Sequence, residues 1–302
     1  MLTDGQLASQ LMTYGWAGAL LLGWLGLCVG SFLNVVIYRI PLMLQRQWEV
    51  EAHAVLAAAE ERECEAPANG VSVARPAEPF NLLVPRSRCP QCGHQIRAWE
   101  NIPVISWLAL RGRCAGCRAR ISPRYPLVEL LTGVATLAVI GLFGFTWAGG
   151  AALVYTWVLI ALTFIDYDTQ LLPDQLTLPL VWLGLVVNLG NGFTSLDSAV
   201  VGAIAGYLFL WSTYWAFKLI TGKEGMGYGD FKLFAAVGAW LGWQVLPATI
   251  LIAACVGLLY ALATSILGKR VAQQPIPFGP FLAIAGWVSL TERDTVLALF
   301  LS

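Results

Sequence analysis

The chain has 302 residues, of which 58% are hydrophobic and 12% charged, with a formal net charge of zero. Soluble domains carry about 25% charged residues, so this composition excludes an ordinary soluble globule and points to a polytopic membrane protein. The neutral total hides an asymmetry, because 12 of the 18 Lys and Arg residues fall between Arg39 and Arg124 and residues 1–38 have none. Glutamates interleave with those arginines, which argues against a nucleic-acid surface.

In chain order, Tyr14 to Tyr38 is apolar, has no basic region before it, and is longer than a signal-peptide core, so it reads as a retained span. Residues from Pro41 to Cys64 mix apolar and charged side chains at helical spacing, predicting an amphipathic or interfacial helix. Ala66 to Pro79, rich in Ala, Pro, Gly and Glu, reads as linker, and Cys89 to Pro126 as a compact module. With the bilayer requiring about 20 apolar residues per helix, eight spans are predicted at about 14–38, 126–146, 150–165, 176–192, 198–217, 231–248, 249–268 and 279–300. The last is interrupted by Thr291-Glu292-Arg293-Asp294, which predicts a span followed by a short interfacial segment. The expected fold is thus all-α, with about eight membrane helices and a small zinc module inserted after the first. The domain division is 1–40, 41–124 and 125–302.

Basic residues favour the cytoplasmic side. That rule places the N-terminus outside, the 41–124 segment in the cytoplasm, and Lys218, Lys223 and Lys269-Arg270 on the same inner side. Threading the spans then puts Asp166 and Asp230 at one membrane face and at similar depth.

Cys89-Pro-Gln-Cys92 and Cys114-Ala-Gly-Cys117 are two CxxC pairs, and four soft thiolates at this spacing predict a closed, structural zinc site. Gly93 and Gly116 are expected to supply the tight turns, and His94 is expected at the surface rather than on the metal. Cys28, Cys64 and Cys255 are single, and Cys28 and Cys255 read as small buried apolar residues.

Three carboxylates compete after the third span. Asp174 follows a proline and precedes an apolar run, which predicts a helix N-cap. Asp168 lies two positions past Asp166 and would point away from it on a helix. Asp166 remains as the partner of Asp230, which ends Gly225-Met-Gly227-Tyr-Gly229-Asp230. Gly227 and Gly229 there permit unusual backbone angles and the close approach of an extended substrate strand. Carboxylates at a membrane edge are functional by default. Two brought together share a proton and titrate as a unit, the chemistry of aspartic proteases. A proton-coupled transporter would use the same groups, and a scaffold displaying a zinc domain would use neither.

These motifs, with Gly30-Ser-Phe-Leu-Asn-Val35, Glu100-Asn-Ile-Pro103, Leu110-Arg-Gly112, Arg124-Tyr-Pro-Leu-Val-Glu129 and Pro277-Phe-Gly-Pro280, resemble the type IV prepilin peptidases over nearly the whole chain. The resemblance implies a bifunctional enzyme of the bacterial inner membrane. It implies that Asp166 and Asp230 cleave the leader of prepilins and type II secretion pseudopilins at the cytoplasmic face. It also implies methylation of the new N-terminal residue by S-adenosylmethionine, with zinc on Cys89, Cys92, Cys114 and Cys117. Glu100, Asn101 and Pro103 are candidates for the methyl transfer, with packing around the cysteine turns as their alternative role. No glycine-rich adenosyl-binding fingerprint stands between residues 40 and 124.

Overall fold

The computed structural model describes residues 15–63, 80–266 and 276–301. The expected linker of Ala66–Pro79, Cys64 and Lys269-Arg270 lie outside the described residues. Among the described residues the fold is helical, without strands. The helices are α1 (Gly15–Glu63), α2 (Ile105–Ala109), α3 (Arg124–Phe143), α4 (Trp147–Thr169), α5 (Asp174–Leu189), α6 (Leu196–Thr221), α7 (Tyr228–Leu241), α8 (Leu246–Ile266), α9 (Gly279–Thr291) and α10 (Arg293–Leu301).

Each predicted span has an apolar helix, and these helices differ in length. Five helical segments are long and apolar enough to cross a bilayer: α1, α3, α4, α6 and the Trp243–Ile266 stretch that contains α8. Helices α5, α7 and α9 have 16, 14 and 13 residues. Helix α7 can be short because its neighbours, not lipid, surround it, and every residue from Leu233 to Leu241 is buried. The sixth and seventh segments part at Gly242, with φ 89°, rather than near Pro247. Glu292 separates α9 from α10, as the charged interruption predicts.

The first helix corrects the prediction of a separate amphipathic helix after Pro41. It runs 49 residues without a break and carries Pro41 inside it, a length of about 74 Å at 1.5 Å per residue. Proline removes one backbone hydrogen bond, while the Leu, Met, Gln, Glu and Ala around it are strong helix formers. Cys28 and Cys255 are likewise exposed rather than buried. They lie on helix faces that also expose large apolar side chains such as Leu25 and Leu258, where lipid replaces a protein core.

Two sets of contacts fix the ends of the bundle. At one end, buried Asn188 donates to the carbonyls of Ala239 and Trp240 and accepts from the Phe193 and Thr194 amides. Ser198 donates there to Gln244. At the other end the C-terminus of α4 meets the N-termini of α5, α7 and α9, through Asp166, Asp174, Lys232 and Gly279. The core between them is built on Tyr155, Leu162, Phe231, Phe234 and Trp240, all buried.

Candidate active site and metal centre

Helix α4 extends four residues past the predicted end of its span, so Asp166 lies within its last turn and Gln170 closes it in the left-handed conformation. Asp166 is 5% exposed and Asp230, in the first turn of α7, is 6% exposed. The structure brings their segments together: Leu172, six residues after Asp166, packs against Gly229, the residue before Asp230. The backbone N–H of Gly279 donates to Asp166 Oδ2 at 3.0 Å. Asp230 Oδ1 is buried and accepts no hydrogen bond from any described residue.

Glycine is required where these segments converge. A Cβ on Gly279 would stand 2.6 Å from Asp166 Oδ2, and one on Gly229 would stand 2.5 Å from Leu172 Cβ. Leu172 packs against both glycines and so holds the starts of α7 and α9 close to the end of α4. The unusual backbone angles expected of the glycine run are absent, since neither Gly225, Gly227 nor Gly229 has a positive φ. Close approach alone accounts for Gly229. A Cβ on Gly227 would meet only Asp230 Oδ2 within 4 Å, at 3.8 Å.

The competing carboxylates are neutralised by cations. Asp168 pairs with Arg124, whose guanidinium also donates to the Phe164 carbonyl. Asp174 pairs with Lys232. Asp174 is not the N-cap that its position after proline predicts: Pro173 holds that place, and Asp174 is already one residue inside α5. Among the described residues no cation bridges Asp166 or Asp230.

In the cysteine module, the four Sγ atoms of Cys89, Cys92, Cys114 and Cys117 lie within 4.8 Å of one another. Cys89 and Cys117 are 3.8 Å apart and Cys92 and Cys114 4.0 Å apart. A tetrahedral ion with metal–sulfur bonds of about 2.3 Å requires sulfurs about 3.8 Å apart, so the cluster fits zinc. The backbone N–H groups of Cys92 and Gln91 pull the Cys89 thiol down to about 6. Those of Cys117 and Gly116 lower Cys114 in the same way, which favours the thiolates a metal needs. Cys92, by contrast and despite the His94 amide, is pushed up to about 11 by burial and the other three thiols.

The two turns share one geometry. The Gly93 amide donates to Cys89 and the Arg118 amide to Cys114; His94 and Ala119 in turn accept from the Cys89 and Cys114 amides. The turn-forming positions are thus Gly93, φ 71°, and Arg118, φ 60°. Gly116, expected to turn the second pair, instead leaves room for His94 and Cys92. His94 is half-buried rather than superficial, and contacts Glu100 at 3.0 Å. Glu100 also accepts from the Arg97 amide, and these two partners, the amide first, hold its carboxyl below the usual range. Glu100 and Asn101 line a cavity between the module and the membrane helices, and Pro103 is buried beside it.

Sequence patterns alone do not give the part played by Gly279. Its signal is a Gly-Pro pair opening an apolar run, where proline fits a first helical turn, but the aspartate it meets is 113 residues away.

The chain matches the family model of the bacterial peptidase A24 N-terminal domain over residues 24–143 and that of the type IV leader peptidase family over residues 153–262. It is 56% identical to a prepilin leader peptidase/N-methyltransferase of Stutzerimonas stutzeri, across 92% of this chain and 91% of that one. It is also 56% identical to the Aeromonas hydrophila protein of that name, across 91% of both, and 52% identical to the Pseudomonas aeruginosa one, across 92% and 91%. No solved structure matches. Both family matches fall in order along one chain and the relatives align nearly end to end, so the chain belongs to the type IV leader peptidase family.

Proposed function

We propose that this protein is a prepilin leader peptidase and N-methyltransferase of the bacterial inner membrane. It removes the leader of type IV prepilins and type II secretion pseudopilins, then methylates the new N-terminal amine. The observation that carries the peptidase half is the pair of buried carboxylates without cations, Asp166 and Asp230, beside two that have them.

Peptide hydrolysis needs a base to take a proton from water and an acid to give one to the leaving amine. Two adjacent carboxyls sharing one proton supply both. Asp230 Oδ1, which accepts nothing from the described chain, is the oxygen placed to activate water. Asp166, oriented by the Gly279 amide, completes the pair. Gly227, with open surroundings, leaves the backbone beside Asp230 accessible to an extended substrate, whereas Gly229 is closed off by Leu172.

The three-part division at 1–40, 41–124 and 125–302 follows this reading, with the peptidase helices in the last part. The inner-face orientation is supported by Arg124, Lys218 and Lys232, which lie towards the end of the bundle that holds the aspartates. Zinc on Cys89, Cys92, Cys114 and Cys117 has a structural task. Between Phe80 and Pro123 only Pro103, Gly112 and Cys114 are buried, too small a core to close the module without a staple.

When bound, S-adenosylmethionine would supply the methyl, carried on a cationic sulfur, to the new N-terminal amine, which would give up a proton. Glu100, Asn101 and Pro103 are assigned to this half as the frame of its cavity. The whole reading is tested by mass spectrometry of a prepilin-like peptide incubated with purified protein. Loss of the leader supports the peptidase, and a further gain of about 14 daltons, one methyl group, when S-adenosylmethionine is added supports the transferase. An unprocessed peptide, with ion-coupled uptake in proteoliposomes, would favour a transporter.

A further inference from the structure

A cavity of about 610 Å³ lies where the cysteine module meets α1 and α3. Sites for ligands of cofactor size span about 300–1,000 Å³. Tyr38, Phe80, Trp107 and Tyr125 contribute aromatic rings to its lining, and Glu129 of α3 lines it from the membrane side.

Glu129 is the unusual member. It is 8% exposed, and Gly30 of α1 packs so tightly on it that a Cβ there would stand 2.6 Å from Glu129 Cα. Its carboxylate accepts the Val104 amide at 2.7 Å and has the Ser31 hydroxyl beside it. Val104 presents that amide from φ 61°, a conformation costly for a branched side chain. No cation bridges Glu129 among the described residues. Arg39, Arg86, Arg88 and Arg120 also line the cavity, but the Arg39 guanidinium is bonded to the Asn81 and Pro85 carbonyls and none of the four forms an ion pair with Glu129. The paired aspartates lie on α4 and α7, so peptide cleavage does not draw on Glu129.

A buried carboxylate is costly unless it meets a positive charge, and aromatic rings attract cations over their faces. Resting on the methyl-transfer reading, we propose that this cavity is the S-adenosylmethionine site and that Glu129 is the counter-charge to the bound cofactor. The rings of Tyr38, Trp107 and Tyr125 supply faces for the adenine and for the cationic sulfur. Glu100, held by His94 and the Arg97 amide, shapes the wall opposite.

The test is direct binding to the full-length, zinc-loaded protein in detergent, by calorimetric titration with S-adenosylmethionine. Glu129→Gln should weaken binding at least about tenfold, the loss of one charge-assisted contact. Ser106→Trp, which fills the cavity from α2 without altering a ligand cysteine, should do the same. Zinc content and thermal midpoint report the fold of each variant. Should Glu129→Gln fail to fold, ultraviolet cross-linking of methyl-labelled S-adenosylmethionine to the wild type locates the site independently. Label on peptides from 31–39 or 80–129 is expected. Wild-type affinity in either folded variant, or label confined to the peptidase helices, would overturn the assignment while leaving the methyltransferase reading standing. No binding by the wild type would instead overturn the methyltransferase reading itself.

Discussion

The amide of Gly279 donates to the carboxylate of Asp166 at 3.0 Å, joining the start of α9 to the last turn of α4. That bond holds one aspartate in a fixed orientation, and the missing side chain of Gly279 is what permits it. A methyl group there would stand 2.6 Å from Asp166 Oδ2 and 3.0 Å from its Cγ. Gly279→Ala should therefore cost about 10- to 100-fold in leader-cleavage kcat/KM, the worth of one hydrogen bond to a charged group. Quantitative cleavage of a prepilin-like peptide, alongside a membrane-fraction immunoblot, checks it. Wild-type turnover by Gly279→Ala would mean that the bond does not position Asp166.

The four carboxylates near the site should divide into two classes. Asp168 and Asp174 are bound to Arg124 and Lys232 in partly exposed pairs, and such pairs contribute about 0.2–1 kcal/mol. Asp168→Asn and Asp174→Asn are expected to keep cleavage within about fivefold of wild type. Complete loss of activity in either would move the catalytic pair.

That division is partly legible in the sequence. Hydropathy and charge bias put both aspartates on one face, because those signals are local and add along each helix. Helical geometry alone turns Asp168 away from Asp166. The N-cap position expected of Asp174 is held by Pro173, which makes no side-chain cap bond, since one residue of shift is beyond what pattern fixes. The contacts of Asp166 with Gly279, and of Glu129 with Val104 and Gly30, are illegible for another reason. They join segments distant in the chain, and nothing local to either partner announces the other. The continuity of α1 also escapes the sequence pattern, because Pro41 reads as a break although the residues beside it are strong helix formers.

The glycines before Asp230 should also separate. Gly229 is wedged against Leu172, whereas Gly227 has open surroundings. Gly229→Ala is expected to lower both cleavage and the thermal midpoint. Gly227→Ala should leave the midpoint unchanged and raise KM, if substrate backbone passes beside it. A lowered midpoint for Gly227→Ala with unchanged KM would remove it from the substrate path.

Metal removal should loosen the cysteine module selectively. With so few buried residues of its own, the module depends on its four thiolates for closure. Elemental analysis should find one zinc per chain, and Cys114→Ser, at the most buried ligand, should abolish it. Limited proteolysis should then cut between residues 86 and 122 in the metal-free protein while sparing α4 to α9. Equal protease resistance with and without metal would contradict a structural role.

The central claim is that Asp166 and Asp230 together hydrolyse the leader bond. Its most direct measurement is the mass spectrum of a prepilin-like peptide after incubation with wild type, Asp166→Asn and Asp230→Asn, each purified from the membrane fraction at matched yield. Full leader loss is expected with wild type and an intact peptide with each variant. Full leader loss with Asp230→Asn would contradict the claim.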